Sequence, residues 1–239
     1  MTAHVPTRPG LLASVATLDE MRTALAADVD IVDLKNPFEG ALGAWAPEAL
    51  AEAVALWRAA GAPGSLSATV GDHPLEPDLL RAAAERTAAA GVPLVKIGFA
   101  LGDGADLPPV LEALRPLARE TRLIAVLFAD QAPDLATVPL FAAAGFHGVM
   151  LDTADKAAGG LLSHLPAEPL ARFVSLARSD GLLTGLAGSL KMADIPPLAA
   201  LRPHYLGFRG ALCAEGRTSA LDPARLSAVR ETLAGRIPA

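Results

Sequence analysis

The chain has little with which to cross-link itself or hold a metal. Cys213 is the single cysteine among 239 residues, so no intrachain disulfide can form. No cysteine or histidine spacing fits a zinc site, and neither a metal nor a cofactor is expected. The first ten residues hold no apolar run behind a basic segment, which predicts no signal peptide. No apolar stretch is long and uninterrupted enough for a membrane helix. The expected compartment is the cytoplasm. Positive charge is also limited: 20 Lys and Arg stand against 26 Asp and Glu, for a net charge of −6. The basic residues are dispersed rather than blocked, which argues against a nucleic-acid surface. Lysine is scarcest, with only Lys35, Lys96, Lys156 and Lys191, so the place of each carries information.

Core material, by contrast, is plentiful. Hydrophobic residues make up 52% and charged residues 19%. No linker, composition shift or internal repeat divides the chain, so residues 1–239 are read as one domain, with 1–9 a flexible or barrel-capping lead-in. Strands are expected at 11–15, 31–35, 65–71, 94–99, 123–129, 148–153, 182–190 and 205–210. Helices are expected at 18–27, 47–60, 77–90, 106–118, 134–144, 166–179, 193–201 and 223–233. Thr17 and Glu20 fit a capping box, and Asp222 precedes a proline in the first turn of the last helix. In the helix at 77–90, Leu79, Leu80 and Ala83 are expected to face inward. Eight strand–helix units at a spacing of roughly 25–30 residues predict a (β/α)8 TIM barrel. An open doubly wound sheet is the rival, but no Gly-x-Gly-x-x-Gly turn follows the first strand.

The polar exceptions in these strands point to a site. In Ile31-Val32-Asp33-Leu34-Lys35, Asp33 and Lys35 share one face, and Val32 and Leu34 share the other. A charged pair on so apolar a strand is costly unless that face meets a polar cavity. Lys96 interrupts the fourth strand, Asp130 follows the fifth, and Asp152 ends the sixth with Lys156 just beyond. Gly188-Ser189 follows the seventh and Arg209-Gly210 ends the eighth. Ser67 and Thr69 share a face of the third. All can meet at the C-terminal mouth of one barrel, where such folds build their sites.

A lysine in a desolvated mouth can attack a carbonyl and form an imine; Lys35, Lys96 and Lys156 are the candidates. Asp33 and Asp152 can hold them or move protons beside a carbonyl. The same residues also fit a second reading, as buried ion pairs with a structural role only. Gly188, Ser189 and Gly210 offer backbone N–H groups, and Arg209 adds charge, for a phosphate after strands seven and eight; Ser67 and Thr69 join this expected binding set. A phosphorylated carbonyl substrate follows. His73, His147, His164 and His204 read as surface or core groups, with His73, beside Asp72 after strand three, the nearest of them to a site role. Cys213, Tyr205 and the tryptophans read as packing. An imine-forming aldolase, a phosphosugar isomerase and a non-catalytic phosphometabolite sensor all fit this pattern. The sequence does not set an oligomeric state, although apolar barrel exteriors often self-associate.

Several segments, taken together, carry a resemblance. Leu12-Ala13-Ser14-Val15, Asp33-Leu34-Lys35-Asn36-Pro37 with Glu39-Gly40 and Leu42-Gly43, and Ser67-Ala68-Thr69-Val70-Gly71-Asp72 come in order. Val95-Lys96-Ile97-Gly98, Leu151-Asp152-Thr153 with Lys156, Leu186-Ala187-Gly188-Ser189-Leu190 and Phe208-Arg209-Gly210-Ala211-Leu212-Cys213 follow. The pattern resembles the (5-formylfuran-3-yl)methyl phosphate synthase family, also called 4-(hydroxymethyl)-2-furancarboxaldehyde phosphate synthase, of methanofuran biosynthesis. The resemblance implies a lyase that condenses two molecules of glyceraldehyde 3-phosphate with loss of phosphate and water. It further implies that Lys35 is the Schiff-base lysine, with Asp33, Lys96, Asp152 and Lys156 as its partners.

Overall fold

Side chains alternate along each strand, and that alternation builds a core on either side of one closed sheet. The computed structural model describes residues 8–102 and 106–236; the expected lead-in lies outside them up to residue 7. The order is β1 (Gly10–Val15), α1 (Leu18–Ala26), β2 (Ile31–Leu34), α2 (Pro47–Ala59), β3 (Ser65–Thr69), α3 (Pro77–Ala89), β4 (Leu94–Phe99) and α4 (Leu107–Ala118). Then come β5 (Arg122–Phe128), α5 (Val138–Ala143), β6 (Gly148–Asp152), α6 (Leu161–His164), α7 (Ala167–Ser179), β7 (Leu183–Leu186), α8 (Ile195–Ala200), β8 (Tyr205–Phe208) and α9 (Pro223–Leu233). Neighbouring strands pair in parallel and β1 also pairs with β8, so the fold is a closed (β/α)8 barrel. Among the described residues no helix is long and apolar enough to cross a membrane.

β5 shows how the two cores arise. Leu123, Ala125 and Leu127 point outward and pack under the helices, while Ile124, Val126 and Phe128 point inward. Both faces are buried, which is why the strand reads as an unbroken apolar run. In the outer layer Phe99, Phe141 and Phe146 stack edge to face, with centroids 4.8 to 5.8 Å apart. The inner core fills the lower barrel with Leu12, Ile31, Leu94, Met150 and Tyr205. Gly185 leaves space for Tyr205, whose ring would stand 2.3 Å from an added Cβ.

The helices begin where the chain chemistry allows. α2, α3, α4 and α9 carry a proline in the first turn, where the missing N–H costs no hydrogen bond. Asp222 caps α9 by accepting from Ala224 N–H at 2.8 Å. Thr17 caps α1 by accepting from Glu20 N–H at 3.2 Å, but the reciprocal half of the expected box is absent. The Glu20 carboxylate reaches past the cap to Ala16 N–H at 2.6 Å.

Several boundaries differ from expectation. β7 ends at Leu186 rather than near 190, because Gly188 (φ +109°) and Ser189 (φ +48°) turn the chain. The helix expected from 134 begins as a 3-10 turn over Leu135–Thr137. The short α6 was not expected. Leu79 is 46% exposed, and Leu80, Ala83 and Ala84 supply the inward face of α3.

Candidate active site

β2 brings two opposite charges to the barrel interior. Asp33 lies in register with Ser14 of β1 and Ser67 of β3. Both hydroxyls donate to its carboxylate, at 2.8 and 2.7 Å. Lys96 Nζ donates to the same carboxylate at 2.9 Å, and neither partner is more than 1% exposed. Burial would raise the Asp33 carboxyl; the charges of Lys96 and Lys35 and the Ser67 hydrogen bond outweigh it and hold the group below the usual carboxylate range. Burial pushes the Lys96 ammonium down, against the pull of Asp33 and with the added repulsion of Lys35.

Asp152, at the end of β6, serves two lysines. Lys156 Nζ donates to Oδ1 at 2.5 Å and also to the Thr153 carbonyl. Lys35 Nζ approaches Oδ2 at 3.4 Å. Burial acts to raise Asp152, but Lys35 and Lys156 more than offset it and keep the group well below the ordinary carboxylate range. Lys156 is itself lowered by burial, with Asp152 opposing and Lys35 adding to the effect. Lys35 is thus the least engaged of these three amines: one long contact, to a carboxylate that already holds another lysine.

These groups face a cavity of about 690 Å³ at the barrel mouth. Lys35, Lys96, Asp152 and Lys156 line it together with Gly188, Ser189, Arg209 and Gly210. Gly188 is required on two counts: its φ is +109°, and an added Cβ would stand 3.0 Å from Thr153 Cγ2. Ser189 holds φ +48° without being glycine, a conformation that costs an L-residue about 1–2 kcal/mol. No donation from the N–H groups of Gly188, Ser189 or Gly210 is found among the described residues. Among those residues, too, no group of three or more His, Cys, Asp or Glu could hold a metal ion.

Four members of the expected set are engaged with the protein itself. Asp33 does not line the cavity and is held by Ser14, Ser67 and Lys96. Ser67, expected among the binding residues, donates its hydroxyl to Asp33, and Thr69 donates to the Gly43 carbonyl at 2.8 Å. Arg209, expected to hold phosphate, is saturated by the protein. Its Nη1 and Nη2 grip the Glu20 carboxylate at 2.5 and 3.1 Å, and its remaining donors go to the carbonyls of Ser14, Arg217 and Ser219. Asp130 accepts from Ala154 and Asp155 N–H and so shapes the loop bearing Lys156. His73 sits 3.0 Å from the Val70 carbonyl, outside the cavity wall.

The loop after Lys35 has a packing role that the sequence did not disclose. Ala41 and Leu42 tuck into the inner core beside Phe128, filling one side of the mouth. Asp72 anchors them by accepting from Ala41 N–H at 2.8 Å and Leu42 N–H at 3.2 Å. The glycines at 40 and 43 around an apolar Leu42 were the available signal. Lys191 and Arg217 also line the cavity and were not assigned from sequence.

Known proteins share both the sequence and the shape. A family model described as 4-HFC-P synthase matches residues 11–230. A Methylorubrum extorquens protein, provisionally named (5-formylfuran-3-yl)methyl phosphate synthase, is 44% identical over 227 residues, or 95% of this chain and 92% of that protein. The (5-formylfuran-3-yl)methyl phosphate synthase of Methanocaldococcus jannaschii is 35% identical over 221 residues, 86% of this chain and 91% of its own. Phosphoribosyl anthranilate isomerase from Thermus thermophilus superposes with a TM-score of 0.64 at 19% identity, covering 95% of this chain and 98% of its own. That last likeness speaks to the fold alone. A match over nearly the whole chain, together with relatives above 30% identity, establishes that this protein belongs to the 4-HFC-P synthase family.

Proposed function

We propose that the protein condenses two molecules of glyceraldehyde 3-phosphate, with loss of phosphate and water, to (5-formylfuran-3-yl)methyl phosphate, through an imine on Lys35. The observation that carries this reading is the difference in pairing among the lysines of the mouth. Lys96 is tied to Asp33 at 2.9 Å and Lys156 to Asp152 at 2.5 Å, whereas Lys35 has a single contact at 3.4 Å. An amine tied to strong partners must break them to reach a carbonyl, and Lys35 has the least to break. The iminium then draws electron density from the adjacent carbon, so a proton there can leave.

Lys156 is suited to move that proton, because burial brings its ammonium closer to neutrality. Asp152, kept ionised, orients both amines and offsets the iminium charge. Lys96 and Asp33 set the field beneath them. Phosphate is held by the backbone N–H groups at Gly188, Ser189 and Gly210, which need no ordering of a long side chain. The second triose loses its phosphate by elimination through an enol; aldol joining, ring closure and dehydration then form the furan, and hydrolysis of the imine by water frees the Lys35 amine.

The test is incubation of pure protein with glyceraldehyde 3-phosphate, followed by product mass and phosphate release. Borohydride added during turnover is expected to leave an adduct on the Lys35 peptide. An adduct only on Lys96 or Lys156 moves the nucleophile; no furan product overturns the reading.

A further inference from the structure

Arg217 gives the mouth a guanidinium with room for an anion. It lines the cavity from the loop between β8 and α9. One N–H group donates to the Gly40 carbonyl at 3.0 Å. A guanidinium has five such hydrogens, and no other donation from Arg217 is found among the described residues.

Most of the other cations around the cavity already face a carboxylate. Arg209 is closed on Glu20, Lys96 on Asp33, and Lys35 and Lys156 share Asp152. The Arg225 side chain is 53% exposed with Asp222 4.0 Å away, and Lys191 is exposed.

The surroundings fix Arg217 in place. Arg209 Nε donates to the Arg217 carbonyl at 2.7 Å, and Nη2 donates to the Ser219 carbonyl at 3.0 Å. The buried Glu20–Arg209 pair therefore builds the loop that presents Arg217. On the opposite side Gly40 is equally constrained: its φ is +87°, and an added Cβ would stand 2.1 Å from Asp72 Oδ2. Arg217 thus spans two anchored loops, and one of them begins at Asn36, directly after Lys35.

We propose that Arg217, and not Arg209, is the guanidinium that pairs with a substrate phosphate, and that its bond to Gly40 ties this recognition to the loop following Lys35. The proposal rests on the phosphorylated-triose reading above. The planar fork of arginine matches two phosphate oxygens at once, which a lysine cannot do. Arg217 acts on substrate binding and on the position of the loop rather than on the bond-making steps.

The experiment titrates inorganic phosphate by calorimetry into the parent, Arg217→Ala and Arg217→Lys, with thermal unfolding measured alongside. Arg217→Ala is expected to weaken phosphate binding by about 10- to 100-fold, with the unfolding temperature almost unchanged. Arg217→Lys is expected to fall between the two. With glyceraldehyde 3-phosphate, KM is expected to rise by a similar factor and kcat to change less. Arg209→Ala should lower the unfolding temperature, because it strands Glu20. Should Arg217→Ala fail to fold, Arg217→Gln keeps a donor for Gly40 without the charge and carries the same test. Phosphate binding as tight in the uncharged variant as in the parent, or none in the parent, overturns the proposal. Borohydride trapping on the parent is read separately: absence of a Lys35 adduct sinks the imine reading and leaves the assignment of Arg217 standing on its own titration.

Discussion

The Asp33 carboxylate and the Lys96 ammonium meet at 2.9 Å in the barrel interior although 63 residues separate them in the chain. Each supports the other's charge, since neither is more than 1% exposed. Removing one partner leaves a buried, unpaired ion, which typically costs about 3–5 kcal/mol. Asp33→Asn is expected to destabilise by that order in urea unfolding. Adding Lys96→Met to it should recover much of the loss. Equal stability of Asp33→Asn and the parent would show that the pair is not energetically coupled.

Lys35→Arg keeps the positive charge at the mouth and removes the amine chemistry. Turnover of glyceraldehyde 3-phosphate is expected to fall by roughly three orders of magnitude or more, with stability little altered. Borohydride should then leave no adduct on that peptide. Near-normal turnover would remove Lys35 from the covalent role.

Lys156→Met separates the imine from proton movement. Loss of a positioned acid–base group lowers rates by about 10²- to 10⁴-fold, and kcat is expected to drop in that range. Trapping at Lys35 should survive. If trapping vanishes with turnover, Lys156 is needed for the imine itself, and the division of labour between the two lysines is wrong.

Leu42 and Gly98 share one volume at the mouth: an added Cβ on Gly98 would stand 2.7 Å from Leu42 Cδ1 and 3.1 Å from Phe128 Cζ. Gly98→Ala is expected to cost about 1–3 kcal/mol by overpacking and to raise KM by shifting the loop after Lys35. In a Leu42→Ala background the same change should cost much less. Additive losses across the four proteins of this cycle would show that the two positions do not share the space.

The buried charges also predict the pH dependence of stability. Asp33 and Asp152 titrate below their unfolded value of about 3.9 in the folded protein. The unfolded chain binds more protons in that window, so their contribution is complete above it and is lost as pH falls through it. Lys96 and Lys156 are lowered from about 10.4, so the unfolded chain again holds more protons between their folded values and that point. Stability from these lysines should therefore grow with rising pH through that window. Urea midpoints measured from acid to alkaline pH test both limbs; no loss below about pH 4 would contradict the carboxylate assignment.

Much of the molecule is legible in its sequence. Alternating apolar strands and proline-started helices set the barrel, because each strand is buried on both faces and each helix on one. Asp33 and Lys35 declared a shared inward face by spacing alone. Lys96, Asp152 and Lys156 stood out because lysine is so rare in this chain.

Pairing was decided only by the closed barrel. Register between neighbouring strands put Ser14 and Ser67 on Asp33, so Ser67 became a support where a binding residue had been expected. Closure brought Arg209 beside Glu20, which used up the donors that sequence had assigned to phosphate, and it brought Arg217 to Gly40 across the mouth. Sequence determined which residues carry charge and which face of a strand they take, because side-chain direction is a local property of the backbone. Which charge meets which partner, and which is left for a ligand, depends on distances between strands and loops far apart in the chain, and only the tertiary structure sets those.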